Sequence, residues 1–311
     1  MKRIAYATIL LKPEGQTVSS FEIEQNREWV KHLILRMGLK EKQIREAPMG
    51  FDLEVDANSL AFGLFLEAIR ARPDLAPRYI RIWRYYTLSE LQAAPLLTWR
   101  LTNQAIEDDY YDLHEDGYQG GPKSSHRRCG ACRAQLEQVR DLALNKSKMG
   151  RRELSLTYSF EIILSEHLAQ CFREAGLTGF ALRPVQHYRK PYANEPVLYQ
   201  LVVTHTLPPM ASPPTEFERV QQCSVCGTTT RYLKHTHFWG QIQYYEDTDM
   251  YYLPEVLGDM QDFNRTAELF GDLPDGHPLV LISQRVYRLL REQRVKGWEV
   301  VPVYLTEGAE G

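Results

Sequence analysis

The chain has 311 residues, 43% of them hydrophobic, which is room for about two domains with real cores. Lys and Arg number 37 against 40 Asp and Glu, and the net charge of −3 excludes the general basic footprint of a dedicated nucleic-acid binder. No stretch approaches the roughly 20 apolar residues that span a bilayer, and the start MKRIAYATILL reads as a strand and not as a cleavable leader, so a soluble, cytoplasmic protein is expected.

Residues 1–105 read as an N-terminal α/β domain, a small sandwich of helices on a sheet. The run at 4–11 is β-like, and Ser19 followed by Glu22 is a capping-box signature. Trp29, Val30, Leu33, Ile34 and Met37 then recur at helical spacing before Gly38, a natural stop. After a strand-like segment at 49–55, Asn58 or Ser59 caps a second helix that Pro73 ends, and YIRIWRYY at 79–86 alternates as a half-buried strand does. Residues 96–101 offer one more strand to the same sheet. Residues 106–125 hold Gly117, Gly120, Gly121 and Pro122 among acids and tyrosines and read as a linker. The acids of 107–116 adjoin a basic stretch at 123–152, a pattern of self-compensating surface charge.

Residues 126–311 form the second domain, and an ungapped internal repeat organises it. EIILSEHLAQCFREAGLTGFALRPV (161–185) and LVLISQRVYRLLREQRVKGWEVVPV (279–303) share Ser165/Ser283, Arg173/Arg291, Glu174/Glu292, Gly179/Gly297, Pro184/Pro302 and Val185/Val303. Apolar positions match as well, from Leu168/Val286 to Phe172/Leu290. Each copy reads as strand, Ser N-cap, amphipathic helix, turn and strand. Neither is large enough to bury both its faces alone, so the two are expected to pack together. The fold class is α/β (α+β): a small N-terminal sandwich followed by a duplicated strand-helix-strand region joined by a pair of zinc knuckles.

Four of the five cysteines form two C-x-x-C pairs, Cys129/Cys132 and Cys223/Cys226, each ahead of one copy of the repeat. Two such turns supply the four soft ligands of a closed tetrahedral site, so one structural Zn2+ with no activated water is expected. Cys171 aligns with Leu289 on a helix face and reads as a core side chain. His126, His235 and His237 leave mixed Cys/His ligation open. Cys129 to Cys132 at the start of a helix running to Leu144 would instead make a thioredoxin-like redox pair, hence a thiol oxidoreductase.

In HTHFWGQIQYYEDTDMYY (235–252), Phe238, Trp239, Tyr244 and Tyr245 stand beside Glu246, Asp247 and Asp249, which suits contact with a basic protein partner; an alternating core hairpin is the competing reading. The bases Lys123, Arg127, Arg128 and Arg133 around the first C-x-x-C admit a zinc-knuckle nucleic-acid binder. Carboxylates at 259–263 have no general base, nucleophile or metal-binding companion at interpretable spacing, so no catalytic residue is assigned and no enzyme is expected.

The order C-x-x-C, Ser165-to-Val185 unit, Cys223-Ser-Val-Cys226-Gly227, Asp262-Phe263, then residues 281–303 resembles the double-CxxCG family of bacterial proteins known chiefly from myxobacterial paralogues. The resemblance covers about residues 125–305. Some members look like immunity proteins that bind and neutralise a cognate toxin, and the resemblance implies that role here. The chain departs from the pattern at Arg133, which replaces the Gly after the first pair, and in its first 105 residues.

Overall fold

A computed structural model describes residues 1–11, 19–72, 75, 79–103, 105–106, 126–187, 195–239, 242–273 and 276–307. The linker expected at 106–125 and its acidic block lie almost wholly outside these. In chain order the elements begin with β1 (Lys2–Leu10), α1 (Ser20–Met37), β2 (Ile44–Ala47), β3 (Gly50–Asp56), α2 (Leu60–Ala71), β4 (Tyr79–Tyr85), α3 (Leu88–Ala93) and β5 (Leu96–Leu101). They continue with β6 (His126–Arg128), β7 (Gln135–Gln138), β8 (Ala143–Leu144), β9 (Leu154–Leu156), β10 (Ile162–Ser165), α4 (Glu166–Glu174), β11 (Phe180–Pro184), β12 (Gln186–His187) and β13 (Leu198–Val203). The last are β14 (Phe217–Gln222), β15 (Thr229–Leu233), β16 (Thr236–Trp239), β17 (Ile242–Glu246), β18 (Met250–Tyr252), α5 (Val256–Asp259), β19 (Phe263–Phe270), β20 (His277–Ile282), α6 (Gln284–Glu292) and β21 (Trp298–Leu305). The result is a mixed α/β fold.

Two compact units form. Unit 1 comprises Met1–Leu88 and Lys234–Thr248, and unit 2 comprises Ser89–Leu233 and Asp249–Gly311. In unit 1 the order β1-α1-β2-β3-α2-β4 builds an antiparallel sheet with strands 4-1-3-2, the split β-α-β pattern, extended by β17 and β16 beyond β4. The helices form where expected. Ser19 accepts from the Glu22 amide while Glu22 accepts from the Ser19 amide, and Gly38 closes α1 at φ 64°. Val30, Leu33, Ile34 and Met37 of α1 and Phe62, Phe65 and Ile69 of α2 pack on Ala5, Ala7 and Ile9 of β1 and Phe51, Leu53 and Val55 of β3. The strand β2 escapes sequence reading because IREA is a short edge strand without an apolar alternation.

The units divide the chain differently from the expected 1–105 and 126–311 domains. Strand β5 belongs to unit 2, where it lies between β20 and β21. Leu96, Leu97, Thr98 and Trp99 are all buried in succession, which suits a central strand covered on both faces. The hairpin β16–β17, expected in the second domain, joins unit 1 through parallel pairing of β17 with β4. Glu246 at its end is buried and accepts from Arg3 and from Arg84 Nε at 2.8 Å. Burial pulls this carboxyl up, and the hydrogen bonds and charges of the two guanidiniums outweigh that and hold it below the usual range.

Unit 2 contains a four-stranded sheet, β11-β13-β10-β9, and a seven-stranded sheet, β14-β15-β19-β20-β5-β21-β18. Four strands of the larger sheet, β21-β5-β20-β19, follow the order of the smaller one. Their registers agree: Ile162 faces Leu201 and Leu164 faces Tyr199 in one, Val280 faces Trp99 and Ile282 faces Leu97 in the other. Ser165 and Ser283 cap α4 and α6, and their amides donate at 2.9 Å to the carbonyls of Glu153 and Asp262. Gly179 and Gly297 both take φ 83°, and a Cβ there would stand 2.1 Å from Phe263 O and 2.0 Å from Asn103 Cγ. Leu168 and Phe172 of α4 and Val286 and Leu290 of α6 sit fully buried in one shared core. No helix among the described residues is long and apolar enough to cross a membrane.

Candidate metal centre

Each C-x-x-C pair occupies the turn of a hairpin in unit 2: Cys129/Cys132 between β6 and β7, Cys223/Cys226 between β14 and β15. The two turns share one hydrogen-bond frame. The amide of Cys129 donates to Ala134 O at 3.0 Å and that of Arg133 to Cys129 O at 2.8 Å; the amide of Cys223 donates to Thr228 O at 3.0 Å and that of Gly227 to Cys223 O at 2.9 Å. The residue after each pair must take a left-handed backbone, and Gly227 does so at φ 74°. Arg133 does so at φ 63°, which costs roughly 1–2 kcal/mol for a residue with a Cβ. The missing glycine of the first pair is thus tolerated with its turn intact. Arg128 braces it, donating to Arg133 O at 2.9 Å.

The frame aims all four thiols at one point. Cys129 Sγ lies 4.0 Å from Cys223 Sγ, Cys132 Sγ lies 3.6 Å from Cys226 Sγ, and the four ligand atoms all lie within 4.8 Å of one another. Four thiolates about 2.3 Å from a tetrahedral zinc stand about 3.8 Å apart, so the separations fit such an ion. They are far too long for S–S bonds of about 2.05 Å, and all five cysteines are free. Cys129 and Cys223 are buried and Cys132 and Cys226 partly so. Among the described residues this is the one group of three or more Cys, His, Asp or Glu side chains placed to hold an ion.

The electrostatics of the set also suit a cation. The Thr228 hydroxyl and amide pull Cys226 down to about 6, and the amides of Cys226 and Val225 lower Cys223. Burial, reinforced by its sulfur neighbours, pushes Cys132 up to about 12. Four adjacent thiols do not all ionise on their own, because each thiolate formed raises the cost of the next; a divalent ion reverses that sign. With all four bound, the coordination shell is closed.

The hairpins belong to different sheets. The second is part of the seven-stranded sheet, and the first is fastened to the four-stranded one by a polar chain. His126 Nε2 meets Glu161 Oε1 at 3.1 Å, Gln200 donates to Glu161 at 2.6 Å, Gln138 donates to Gln200 at 2.8 Å, and Arg183 donates to Gln138 at 2.7 Å. None of these residues was singled out from sequence except His126, and as a possible ligand.

The other candidates fall elsewhere. His126 is engaged by Glu161, and His235 and His237 lie in unit 1, His235 stacked on Tyr245 and His237 Nε2 3.0 Å from Glu246 O. Cys171, expected in the core, is half-buried beside His167, because its short side chain on the flank of α4 stops short of the core that Leu289 reaches on α6. The helix expected from Cys129 to Leu144 does not form; β7 and β8 take its place, so the first pair lacks the helix N-terminus of a thioredoxin-like site. In the aromatic and acidic stretch, Phe238 is exposed, Tyr244 packs on the unit 1 core, Glu246 is buried, and Asp247 pairs with Arg81 at 3.2 Å. Trp239 has a described backbone only, and Asp249 is partly buried. Of the basic block, Arg127 pairs with Glu137 at 2.8 Å and Lys123 lies outside the described residues. Asp262 accepts from Ser283 Oγ at 2.7 Å and from Arg285 at 2.8 Å, a capping role.

Fold and site together define a mixed α/β protein carrying a largely buried four-cysteine cluster able to chelate a metal ion. No protein-family model matches the chain, and no curated protein matches it.

Proposed function

We propose that Cys129, Cys132, Cys223 and Cys226 hold one structural Zn2+ that staples the two-stranded β6–β7 hairpin to the seven-stranded sheet of unit 2, and that the protein works by binding another protein, as an immunity-type inhibitor of a bacterial toxin. The observation that carries the staple is the convergence of four thiols from two hairpins on different sheets. A closed four-thiolate shell leaves no position for substrate or activated water, which favours a binding role over catalysis. The matching order, register and capping of the two four-stranded groups support a duplicated unit, with β5 standing before its copy where β13 stands after its own. The likeness to double-CxxCG proteins rests on the order along the sequence of the paired C-x-x-C turns, the Ser165-to-Val185 unit, Asp262-Phe263 and residues 281–303. Phe238 is the exposed anchor proposed for the partner, with Tyr245 on the facing strand of the same hairpin; Trp239, Tyr244, Glu246, Asp247 and Asp249 are the other residues of that sequence stretch.

Elemental analysis of the untagged chain tests the staple. One zinc per chain, lost in Cys223→Ser and equally in Cys129→Ser, is expected; two ions per chain, each lost with only one pair, would overturn it. Co-expression with the toxins of the source genome tests the protective role. Growth restored against one of them, and weakened by Phe238→Ala, is expected; arrest unrelieved across the whole set sinks the immunity reading and leaves the staple standing.

A further inference from the structure

Helix α4 carries a second pair of metal-ligating side chains that the four-cysteine site does not use. Cys171 Sγ lies 3.7 Å from His167 Nε2, one helical turn away. An ion with Zn–N near 2.05 Å and Zn–S near 2.3 Å at a tetrahedral angle holds its two donors about 3.6 Å apart. The far ring nitrogen is also provided for, since His167 Nδ1 lies 3.4 Å from Glu153 Oε2. Glu153 is in turn held by the hydroxyl of Ser165, the N-cap of the same helix. A carboxylate on Nδ1 selects the tautomer that leaves Nε2 free to bind an ion.

The other strand-helix-strand segment sharpens the point. Ser283 and Asp262 stand where Ser165 and Glu153 stand and make the same contacts, yet Arg285 replaces His167 and Leu289 replaces Cys171. There the acid is closed by Arg285 at 2.8 Å. Both positions that would bind an ion differ between the segments. His167 is 62% exposed, so an ion has access from solvent. Glu153 and Glu174 stand near the pair, and their negative charge attracts a cation.

We propose that His167 and Cys171 form a second metal site, a solvent-facing two-ligand position for a divalent ion of the zinc type, oriented by Glu153 and completed by water. With two protein ligands it binds more weakly than the four-thiolate site. Equilibrium dialysis of the reduced full chain against Zn2+, followed by stepwise chelator competition, tests this. Two ions per chain are expected, the weaker one absent from His167→Ala and from Cys171→Ala while the tight one stays, which also reports that both variants fold. Glu153→Gln is expected to weaken the second ion about tenfold. A wild-type chain that binds one tight ion and no second overturns the proposal, as does a second ion that survives both substitutions. Failure of the staple reads differently: the tight ion is then the one missing.

Discussion

Both units close around a hairpin contributed from far along the chain, and they fasten it with different chemistry. In unit 1 the hairpin β16–β17 is locked by a buried carboxylate, Glu246, between Arg3 and Arg84. In unit 2 the hairpins β6–β7 and β14–β15 meet through four thiols shaped for one ion. An ion pair needs both partners charged and desolvates them at a cost, so its net worth is modest while its loss is severe. A metal site adds the free energy of coordination outright and vanishes with the metal. The contrast teaches that long-range closure in this chain rests on a few polar groups, set against cores that are local to each unit.

The largest expected effect separates the two fastenings. Removing zinc with a strong chelator should destabilise unit 2 by about 5 kcal/mol or more and leave unit 1 in place, followed by tryptophan and hydrogen-exchange signals of the two units during unfolding. Unchanged unfolding of unit 2 in chelator would end the comparison. Glu246→Gln should do the reverse, weakening unit 1 by about 3 kcal/mol because two guanidiniums lose their counter-charge, with zinc content unchanged. The sign with pH follows from the lowered carboxyl: its contribution is present above the ordinary value of 4.5 and is lost as the pH falls through the depressed folded value, so acid titration should loosen wild-type unit 1 and leave Glu246→Gln nearly flat in that window.

Smaller effects distinguish equivalent positions. Gly179→Ala should cost about 3 kcal/mol, since the added Cβ meets the backbone of Phe263, and Gly297→Ala about 2, since the obstacle is the Asn103 side chain, which can swing away from its bond to Leu154 O; chemical denaturation ranks the two. At the knuckles, Gly227→Ala should cost about 1 kcal/mol from backbone strain alone, because no atom stands within 4 Å of the added Cβ. Arg133→Gly should be neutral to stabilising by up to about 1 kcal/mol, and a clear loss of stability would mean that the Arg133 side chain itself holds the turn.

The features legible in the sequence are the short-range ones. The Ser19–Glu22 box, Gly38, Ser59, the two Ser N-caps and the four cysteines all declare themselves within a turn or two of chain, because caps, stops and C-x-x-C turns are made by residues three to five apart. Arg133 hid the shape of the first knuckle, since only the backbone reveals that this arginine takes the left-handed conformation its counterpart Gly227 takes. The Glu161–Gln200–Gln138 chain had no signal at all, being three polar residues drawn from separate parts of the chain.

What the sequence determined by itself is therefore the four longer helices α1, α2, α4 and α6, their faces, and the cysteine ligands of the candidate metal site. Tertiary structure alone decided that Leu96–Leu101 lies between β20 and β21, that residues 234–248 complete the sheet of unit 1, and that thiols 94 residues apart converge. Strand pairing and ligand convergence depend on which distant surfaces bury each other best, and that competition is settled only when the whole chain has folded.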